Sequence, residues 1–426
     1  MSISQNFPEE GPTLNLNFAG SKTLDPRITF SRTTTGTYMD DSGLIVTAPA
    51  DSPRFDHRYV NGEIESLGLL VEEQRSNLTK YSNTLQSPFN PVNGTITTNQ
   101  TTSPSGENNA SLLTQTAAST CYVNYGSGQI TWTSGQQYTF SCFVKKYSDS
   151  DENQIYILGY NLTFNSDPSG ANSVVIFNLD TLTSTTADGL VNSHSIDDVG
   201  NGWRRISATF TAYTTESRSH QVLRFVDPGA TSNMYVWGYQ IEEGAFPTSY
   251  IPRPDASTAT RNPDSVTMTG DNFSDWYNQS EGSFYMNIRN IQQQPTGSAY
   301  TRLIDLRGTP TGDNYYLLAI SPNGRAIYNE MFSNGSSQLN YSATYPVPNS
   351  PTGIVKITTG LQQNNFIAYN FASQFLSDTS SVTLPILNTL YIGRDQNGGS
   401  QINGHISKLT YYPTRLSNDQ LQNLTK

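Results

Sequence analysis

The sequence is poor in the residues on which most metal, redox and nucleic-acid sites depend. Its 426 residues include two cysteines and four histidines, and only 14% are charged. The histidines show no His-x-x-x-His spacing and the cysteines no Cys-x-x-Cys spacing, which argues against zinc. The net charge is −11 and no run of Lys or Arg occurs. The concentrated positive charge that nucleic acid requires is therefore missing.

Long apolar runs are missing as well. No segment approaches the roughly 20 apolar residues of a membrane span, and the N-terminal residues lack the basic-then-apolar pattern of a secretory signal. We therefore expect cytosolic synthesis and no membrane insertion. The two cysteines are Cys121 and Cys142. Cys142 alternates in step with Phe140 and Val144, which favours an ordinary core thiol over a disulfide.

What the chain has in abundance is Ser, Thr, Asn, Gln and Gly, together with 25 tyrosines. This composition disfavours helices, whereas its Thr, Tyr, Val and Ile suit strands. Short strand patterns recur between Gly- and Asn-rich turns from about residue 137 to 241, which is typical of a β-sandwich. The sequence thus predicts an all-β protein.

A strand over Met234–Ile241 is the best-defined element of the middle region. Tyr235, Trp237, Tyr239 and Ile241 share one parity, which predicts that they face the same side of a sheet. Four prolines follow between positions 247 and 263, and proline cannot donate to a sheet ladder. We therefore predict a Pro-rich linker at 253–262 and a second sandwich at 263–426. In that half, Phe284, Met286 and Ile288 alternate inward, and Ser417 with Gln420 predicts a capping box on a final short helix.

Several phrases of the sequence resemble one known family. These are TFSRTTTGTY, PRFD and ESLGLLVEEQRSNL near the N-terminus, WGYQIEEG and TSYIP in the middle, and NGHISKL near the end. They resemble tailed-bacteriophage virion proteins of the tail- or head-fibre type. Such proteins combine a carbohydrate-binding-module-like jelly roll with a concanavalin A-like (laminin-G-like) lectin domain.

The resemblance implies two tandem β-sandwich (jelly-roll) domains preceded by a short β-rich N-terminal module. Residues 1–80 would be an attachment or spacer module, and residues 81–252 the carbohydrate-binding-module-like jelly roll. Within the first module, Arg32, Arg54 and Arg75 would anchor loops through carboxylates. The implied location is the virion surface, after synthesis in the host cytoplasm. The implied partners are capsid or tail proteins, host-surface polysaccharide and further copies of the chain, for example in a trimer.

Catalytic patterns do not emerge from the sequence. A glycosidase needs two carboxylates roughly 5–9.5 Å apart. The two side chains of an adjacent pair such as Asp197-Asp198 point to opposite faces of a strand, so such a pair does not form a catalytic dyad by itself. This absence argues against catalysis, and the resemblance implies a structural protein that adheres to host-surface glycans. A polysaccharide depolymerase and a purely architectural spacer remain open alternatives.

Candidate ligand residues come from the aromatic side chains, because sugar C–H faces stack on Trp and Tyr rings. Trp132, in QITWTSG, precedes a turn and is expected at an exposed sheet edge. Tyr328, Tyr341 and Tyr345 are further candidates for glycan binding. The resemblance also implies a structural calcium ion near the closing strand, with Glu242 as its ligand.

Overall fold

The chain forms two β-sandwiches, which confirms the all-β prediction. The structure is a computed structural model, and it describes residues 8, 10–126, 129–148, 152–159, 173–186, 190–225, 232–292, 300–321, 326–344, 353–380 and 382–426. The N-terminal segment contributes β1 Leu14–Leu16, α1 Phe18–Ser21, β2 Thr29–Ser31, β3 Gly36–Met39, β4 Ile45–Ala48, β5 Phe55–Val60, β6 Glu63–Val71 and β7 Arg75–Asn77.

The middle region forms the first sandwich. Its strands are β8 Phe89–Val92, β9 Gly94–Thr101, β10 Ala110–Gln115, β11 Tyr122–Tyr125, β12 Gln137–Lys146, β13 Gln154–Gly159, β14 Ser173–Asn178, β15 Thr183–Thr186, β16 Val191–Asp198, β17 Arg204–Thr211, β18 His220–Phe225 and β19 Asn233–Glu243. One sheet has the order β16-β17-β12-β19-β10-β9 and the other β15-β14-β13-β18-β11-β8. Apolar side chains from both sheets fill the core between them. Cys121 and Cys142 are free and buried, so the prediction of a core thiol at Cys142 is confirmed.

The C-terminal region supplies most of the second sandwich. Its elements are β20 Ala259–Arg261, β21 Ser265–Thr269, α2 Asp271–Ser274, β22 Glu281–Arg289, β23 Thr301–Arg307, β24 Tyr315–Ile320, β25 Ala326–Ser333, β26 Ser336–Thr344, β27 Ile354–Gln362, β28 Phe366–Asn370, β29 Ser373–Asp378, β30 Thr389–Ile392, β31 Gly404–Tyr412 and α3 Asn418–Leu424. Phe284, Met286 and Ile288 point into its core as predicted. The predicted capping box on α3 is also present between Ser417 and Gln420.

The N-terminal segment differs from the separate module that the sequence predicts at 1–80. Strands β6 and β5 extend one sheet of the second sandwich, in the order β29-β28-β27-β22-β31-β6-β5, and β1 also pairs with β31. Strand β2 joins the facing sheet, β2-β21-β30-β23-β24-β25-β26. The segment is too short to bury its own apolar side chains, so it places them in the core of the second sandwich.

The predicted linker is likewise part of the folded structure. Within residues 253–262, β20 pairs with β7 of the N-terminal segment, and the side chains of Arg253 and Arg261 are buried. The Arg253 guanidinium donates to the carbonyl oxygens of Asn77 and Leu78 at 3.0 and 2.9 Å. The polar, proline-rich composition thus reflects buried hydrogen bonding to another segment rather than a free tether.

The alternating residues of the closing strand β19 were predicted to face one side of a sheet, but in the structure they do not all do so. Gly238 has φ 63°, and the register with β12 shifts beside it. Because such a bulge exchanges the two faces of a strand, Tyr239 and Ile241 enter the sandwich core, whereas Trp237 packs outside it against Phe143 and Tyr250. A Cβ atom at position 238 would lie 2.8 Å from the Phe143 ring, which explains the glycine.

Candidate functional site

A buried network of charges joins the N-terminal segment to the start of the second sandwich. Arg54 donates to Glu72 at 2.7 Å and to Asp264 at 2.6 Å, and Arg32 donates to Asp264 at 3.0 Å. Side-chain exposure in these pairs is 0 to 6%. Arg75 pairs with Glu73 at 2.5 Å. The prediction that Arg32, Arg54 and Arg75 anchor loops through carboxylates is therefore confirmed, and the role of these residues is structural.

Glu242, the candidate calcium ligand, is fully buried beside this network. Its carboxylate accepts from the Thr248 N–H at 2.9 Å, from the Thr248 hydroxyl at 3.3 Å, and from the Gln240 side-chain amide. Burial raises the pKa of Glu242, and nearby Arg75 opposes that rise. Calcium is bound by several oxygen acceptors, whereas the groups facing Glu242 are donors. This donor set does not fit a calcium ion.

Trp132 is not at an exposed sheet edge, so that part of the prediction is wrong. Its side chain is 1% exposed and packs edge-on against Tyr138, with ring centroids 4.9 Å apart. Its backbone N–H donates to the Glu216 carbonyl at 2.9 Å, which holds the turn against the sandwich. A sugar could not reach this ring without unfolding the core.

The three candidate tyrosines do not form one surface. Tyr328 is half-buried on β25, and Tyr341 is 37% exposed on β26. Tyr341 lies opposite the inward-facing Asn329, whereas Tyr328 lies opposite Ser342, so the two tyrosines belong to opposite faces of the sheet. Tyr345 lies outside the described residues.

Tyr328 belongs instead to an aromatic group on the solvent side of β23, β24 and β25. Its ring centroid lies 4.7 Å from that of Tyr300, which is 36% exposed. Phe332 lies four residues further along β25, roughly 13 Å from Tyr328 at the usual rise of a strand. Its ring stacks on that of Tyr315, with ring centroids 4.9 Å apart and an angle of 14° between the ring planes. Arg307 lies 4.4 Å from the Tyr315 ring centroid. Since Arg307 and Phe332 flank Tyr315 from the two neighbouring strands, Tyr315 supports Phe332 rather than offering a free ring.

Charged side chains lie between these two aromatic pairs. Burial and the nearby Glu330 carboxylate raise the pKa of Tyr328 to about 12. Arg307 forms a two-pronged contact with Asp305 at 2.5 and 2.9 Å. Arg302 lies opposite Ala319 on the same face, and its Nε and Nη1 atoms are buried with no hydrogen-bond partner among the described residues. We call the surface made by Tyr300, Arg302, Asp305, Arg307, Tyr315, Tyr328, Glu330 and Phe332 the aromatic face.

Sequence reasoning found one member of the aromatic face and missed the others. The strict alternation of Tyr328, Glu330 and Phe332 in AIYNEMFS places all three on one side of a strand. That pattern was available in the sequence. The pairing of Tyr300 with Tyr328 was not, because it depends on how β23, β24 and β25 align.

The described residues form neither a cluster of metal-ligating side chains nor a membrane-spanning helix. No group of three or more His, Cys, Asp or Glu side chains there could hold a metal ion. No helix in the same part of the chain is long and apolar enough to cross a membrane.

Comparison with known proteins gives structural likenesses only. No protein-family model and no curated protein sequence matches the chain. A carbohydrate-binding module, CBM40, of a Ruminococcus gnavus IT-sialidase has 15% identity and a TM-score of 0.29, and the match covers 35% of this chain and 84% of that chain. A structure titled for the cell entry of botulinum neurotoxin type C through two ganglioside molecules has 13% identity and a TM-score of 0.30, with coverage of 38% and 40%.

A heptameric SAP-like pentraxin from Limulus polyphemus has 11% identity and a TM-score of 0.25, and the match covers 34% of this chain and 70% of that chain. At such TM-scores these likenesses carry no argument about function.

Proposed function

We propose that the chain is a non-catalytic, glycan-binding adhesion protein and that the aromatic face binds the glycan. The observation that carries the proposal is the Tyr300–Tyr328 ring pair, in which Tyr300 is 36% exposed, beside the partly exposed charged residues Arg302 and Glu330. Sugars present C–H faces to aromatic rings and hydroxyl groups to polar side chains. The distance of roughly 13 Å along β25 from Tyr328 to Phe332 suits an oligosaccharide better than a single sugar.

We further propose that this adhesion protein belongs to a phage virion, as a fibre, spike or capsid decoration. The support is the sequence resemblance carried by the motifs around Arg32, Arg54 and Glu72. In this proposal the partners are capsid or tail proteins, host-surface polysaccharide and further copies of the chain. Antibodies against the chain should label the outside of purified phage particles in immunogold electron microscopy. Absence of the chain from the particles would contradict the virion role and leave the glycan-binding proposal standing.

A glycan array tests the binding proposal. The unaltered chain should bind a subset of polysaccharide fragments. Tyr300→Ala and Tyr328→Ala should each weaken that binding at least about tenfold, since losing one aromatic contact at a weak site costs 1–2 kcal/mol or more. The matched control is Tyr213→Ala, which removes a 40% exposed tyrosine from the first sandwich. Equal binding by all four proteins would contradict the proposal.

An assay of product release separates adhesion from hydrolysis. We expect no release of reducing ends when the chain is incubated with the glycans that it binds. Release that is abolished by Asp197→Asn would identify the chain as a depolymerase.

A further inference from the structure

The first sandwich carries an exposed ring pair of its own, apart from the aromatic face. Tyr147, which directly follows β12, is 49% exposed and is the most exposed aromatic side chain among the described residues. Its ring centroid lies 5.5 Å from that of Tyr235, which is half-buried on β19. A ring that is half open to water contributes little to the core, so its packing does not account for this pair.

The strands beside β19 extend the ring pair into a wider surface. Tyr235 lies directly opposite Lys145 of β12 and Leu112 of β10, and Leu112 lies opposite Thr97 of β9. Residues that are directly opposite in antiparallel strands share one face of the sheet. The chain neighbours of these residues point into the sandwich core, namely Val144, Leu113, Met234 and Val236. The row from Lys145 to Thr97 therefore lies on the outer face of the sheet.

The side chains of this row are accessible. Thr97 and Tyr147 are exposed, and Leu112, Lys145 and Tyr235 are half-buried. Neighbouring strands lie about 4.8 Å apart, so the row across four strands is roughly 14 Å wide. Two rings, an apolar side chain, a hydroxyl group and an ammonium group thus lie side by side where a ligand can reach them. We call these five residues the tyrosine surface.

Lys145 gives the tyrosine surface its charge. Its ammonium group has no ion pair or hydrogen bond to any described residue. The adjacent Lys146 points to the other side of β12 and pairs with Asp180 at 3.0 Å. The cation of Lys145 is therefore free to pair with a ligand, whereas that of Lys146 is already neutralised.

Acidic side chains are absent from the strand segments that form the tyrosine surface. No Asp or Glu occurs at positions 94–101, 110–115, 137–146 or 233–237. The acidic residues of the adjoining described segments accept from side chains or backbone groups elsewhere, and they are Glu107, Glu152, Asp180, Asp197 and Asp198. The aromatic face, in contrast, holds carboxylates and guanidinium groups together. A carboxylate on the ligand is the group that complements the tyrosine surface.

We propose that the tyrosine surface is a second glycan-binding site, selective for saccharides that carry carboxylate groups. The C–H faces of a sugar ring stack on Tyr147 and Tyr235. The sugar carboxylate pairs with the ammonium group of Lys145, and the hydroxyl group of Thr97 meets the sugar hydroxyl groups. The site rests on the proposed role in glycan adhesion, but it uses no residue of the aromatic face.

The test is made in the Tyr300→Ala/Tyr328→Ala protein, so that binding at the aromatic face does not contribute. The probes are a panel of oligosaccharides that contain hexuronic or sialic acid, and the same oligosaccharides after reduction of their carboxyl groups to hydroxymethyl groups. The two panels differ in charge and share their sugar rings. We expect this background protein to bind members of the acidic panel and to bind their reduced forms about threefold more weakly, as for one exposed ion pair.

Two further changes in this background separate the ring from the charge. Tyr147→Ala should weaken acidic binding about tenfold through the loss of an aromatic contact. Lys145→Gln should weaken it about threefold and abolish the difference between the two panels. The matched controls are Tyr213→Ala, which removes a 40% exposed ring elsewhere on the first sandwich, and Lys146→Gln. Both controls should leave binding unchanged.

Failure of the background protein to bind any acidic oligosaccharide would overturn the second site and leave the aromatic face standing, because the array on single variants tests that face. Equal binding of the two panels by the background protein would also overturn the proposal. So would equal effects of Lys145→Gln and Lys146→Gln. Self-association of the chain that Tyr147→Ala abolishes would assign the tyrosine surface to a second copy instead.

Discussion

At the scale of single residues, Arg54 is the side chain whose replacement we expect to destabilise the fold strongly. Its guanidinium is fully buried between Glu72 and Asp264. Arg54→Met should lower the free energy of unfolding by about 3–5 kcal/mol, because two buried carboxylates are left without their main cation. Urea unfolding followed by tryptophan fluorescence measures this. The control is Lys22→Met, which breaks a solvent-exposed pair with Asp41 and should cause no measurable change. Equal effects of the two variants would contradict the structural role of the network.

The same network predicts how stability depends on pH. Burial alone would raise the pKa of Glu72, but Arg261 and Arg54 hold it well below the ordinary value of 4.5. A carboxyl with a lowered folded pKa stabilises the fold above its unfolded pKa, and this stabilisation is lost as the pH falls below about 4.5. Glu72→Gln should therefore flatten the acid part of the stability curve. Urea midpoints between pH 3 and pH 7 measure the slope.

Glu242 should affect the pH dependence of stability in the opposite direction to Glu72, so it serves as the comparison. Burial raises its folded pKa, so the folded state takes up this proton first and gains stability as the pH falls. Glu242→Gln should therefore steepen the acid loss of stability. Slopes that change in the same direction in the Glu72→Gln and Glu242→Gln proteins would contradict these assignments.

The role of a residue could be predicted where its side chain, once buried, has few possible hydrogen-bond or charge partners. The resemblance implied that Arg32 and Arg54 pair with carboxylates, and a buried guanidinium needs such compensation, although their partner Asp264 lies more than 200 positions away. Trp132 could not be placed in this way. A tryptophan before a turn is exposed or buried according to what covers it, and the covering segment around Glu216 is distant in sequence.

At the scale of elements, the N-terminal strands are the part of the fold that the sequence misassigned. The expectation of a β-rich segment at 1–80 was correct, but a sequence pattern does not show which sheet a strand joins. β1, β5 and β6 complete a sheet of the second sandwich. The parity change at Gly238 escaped prediction for a related reason, since a bulge appears only against its partner strand.

This assignment predicts the outcome of a deletion. A chain that begins at residue 81 lacks β1, β5, β6 and β2 and exposes the core that Leu69 and Val71 cover. We expect this chain to be insoluble or unfolded by circular dichroism. Removing residues 1–10, which precede β1, should leave the folded protein intact. A soluble, folded chain 81–426 would show that the N-terminal strands are dispensable.

At the scale of the whole molecule, the two halves should stay together after the chain is cut. Residues 254–258 form an exposed stretch, and a specific protease site inserted there allows cleavage. Strands from before the cut pair with β20, β21 and β31 after it. The cleaved protein should therefore elute from a sizing column as one species, at the position of the uncut protein, and separate only in denaturant. Two separate peaks under native conditions would indicate independent halves joined by a tether.

Glycan binding at the aromatic face is the central claim, and a crystal structure of the chain with its tightest array ligand tests it most directly. The account predicts a sugar ring stacked on the Tyr300–Tyr328 pair, with hydroxyl groups within hydrogen-bond distance of Arg302 or Glu330. A ligand bound elsewhere on the chain, with none on the aromatic face, would contradict it.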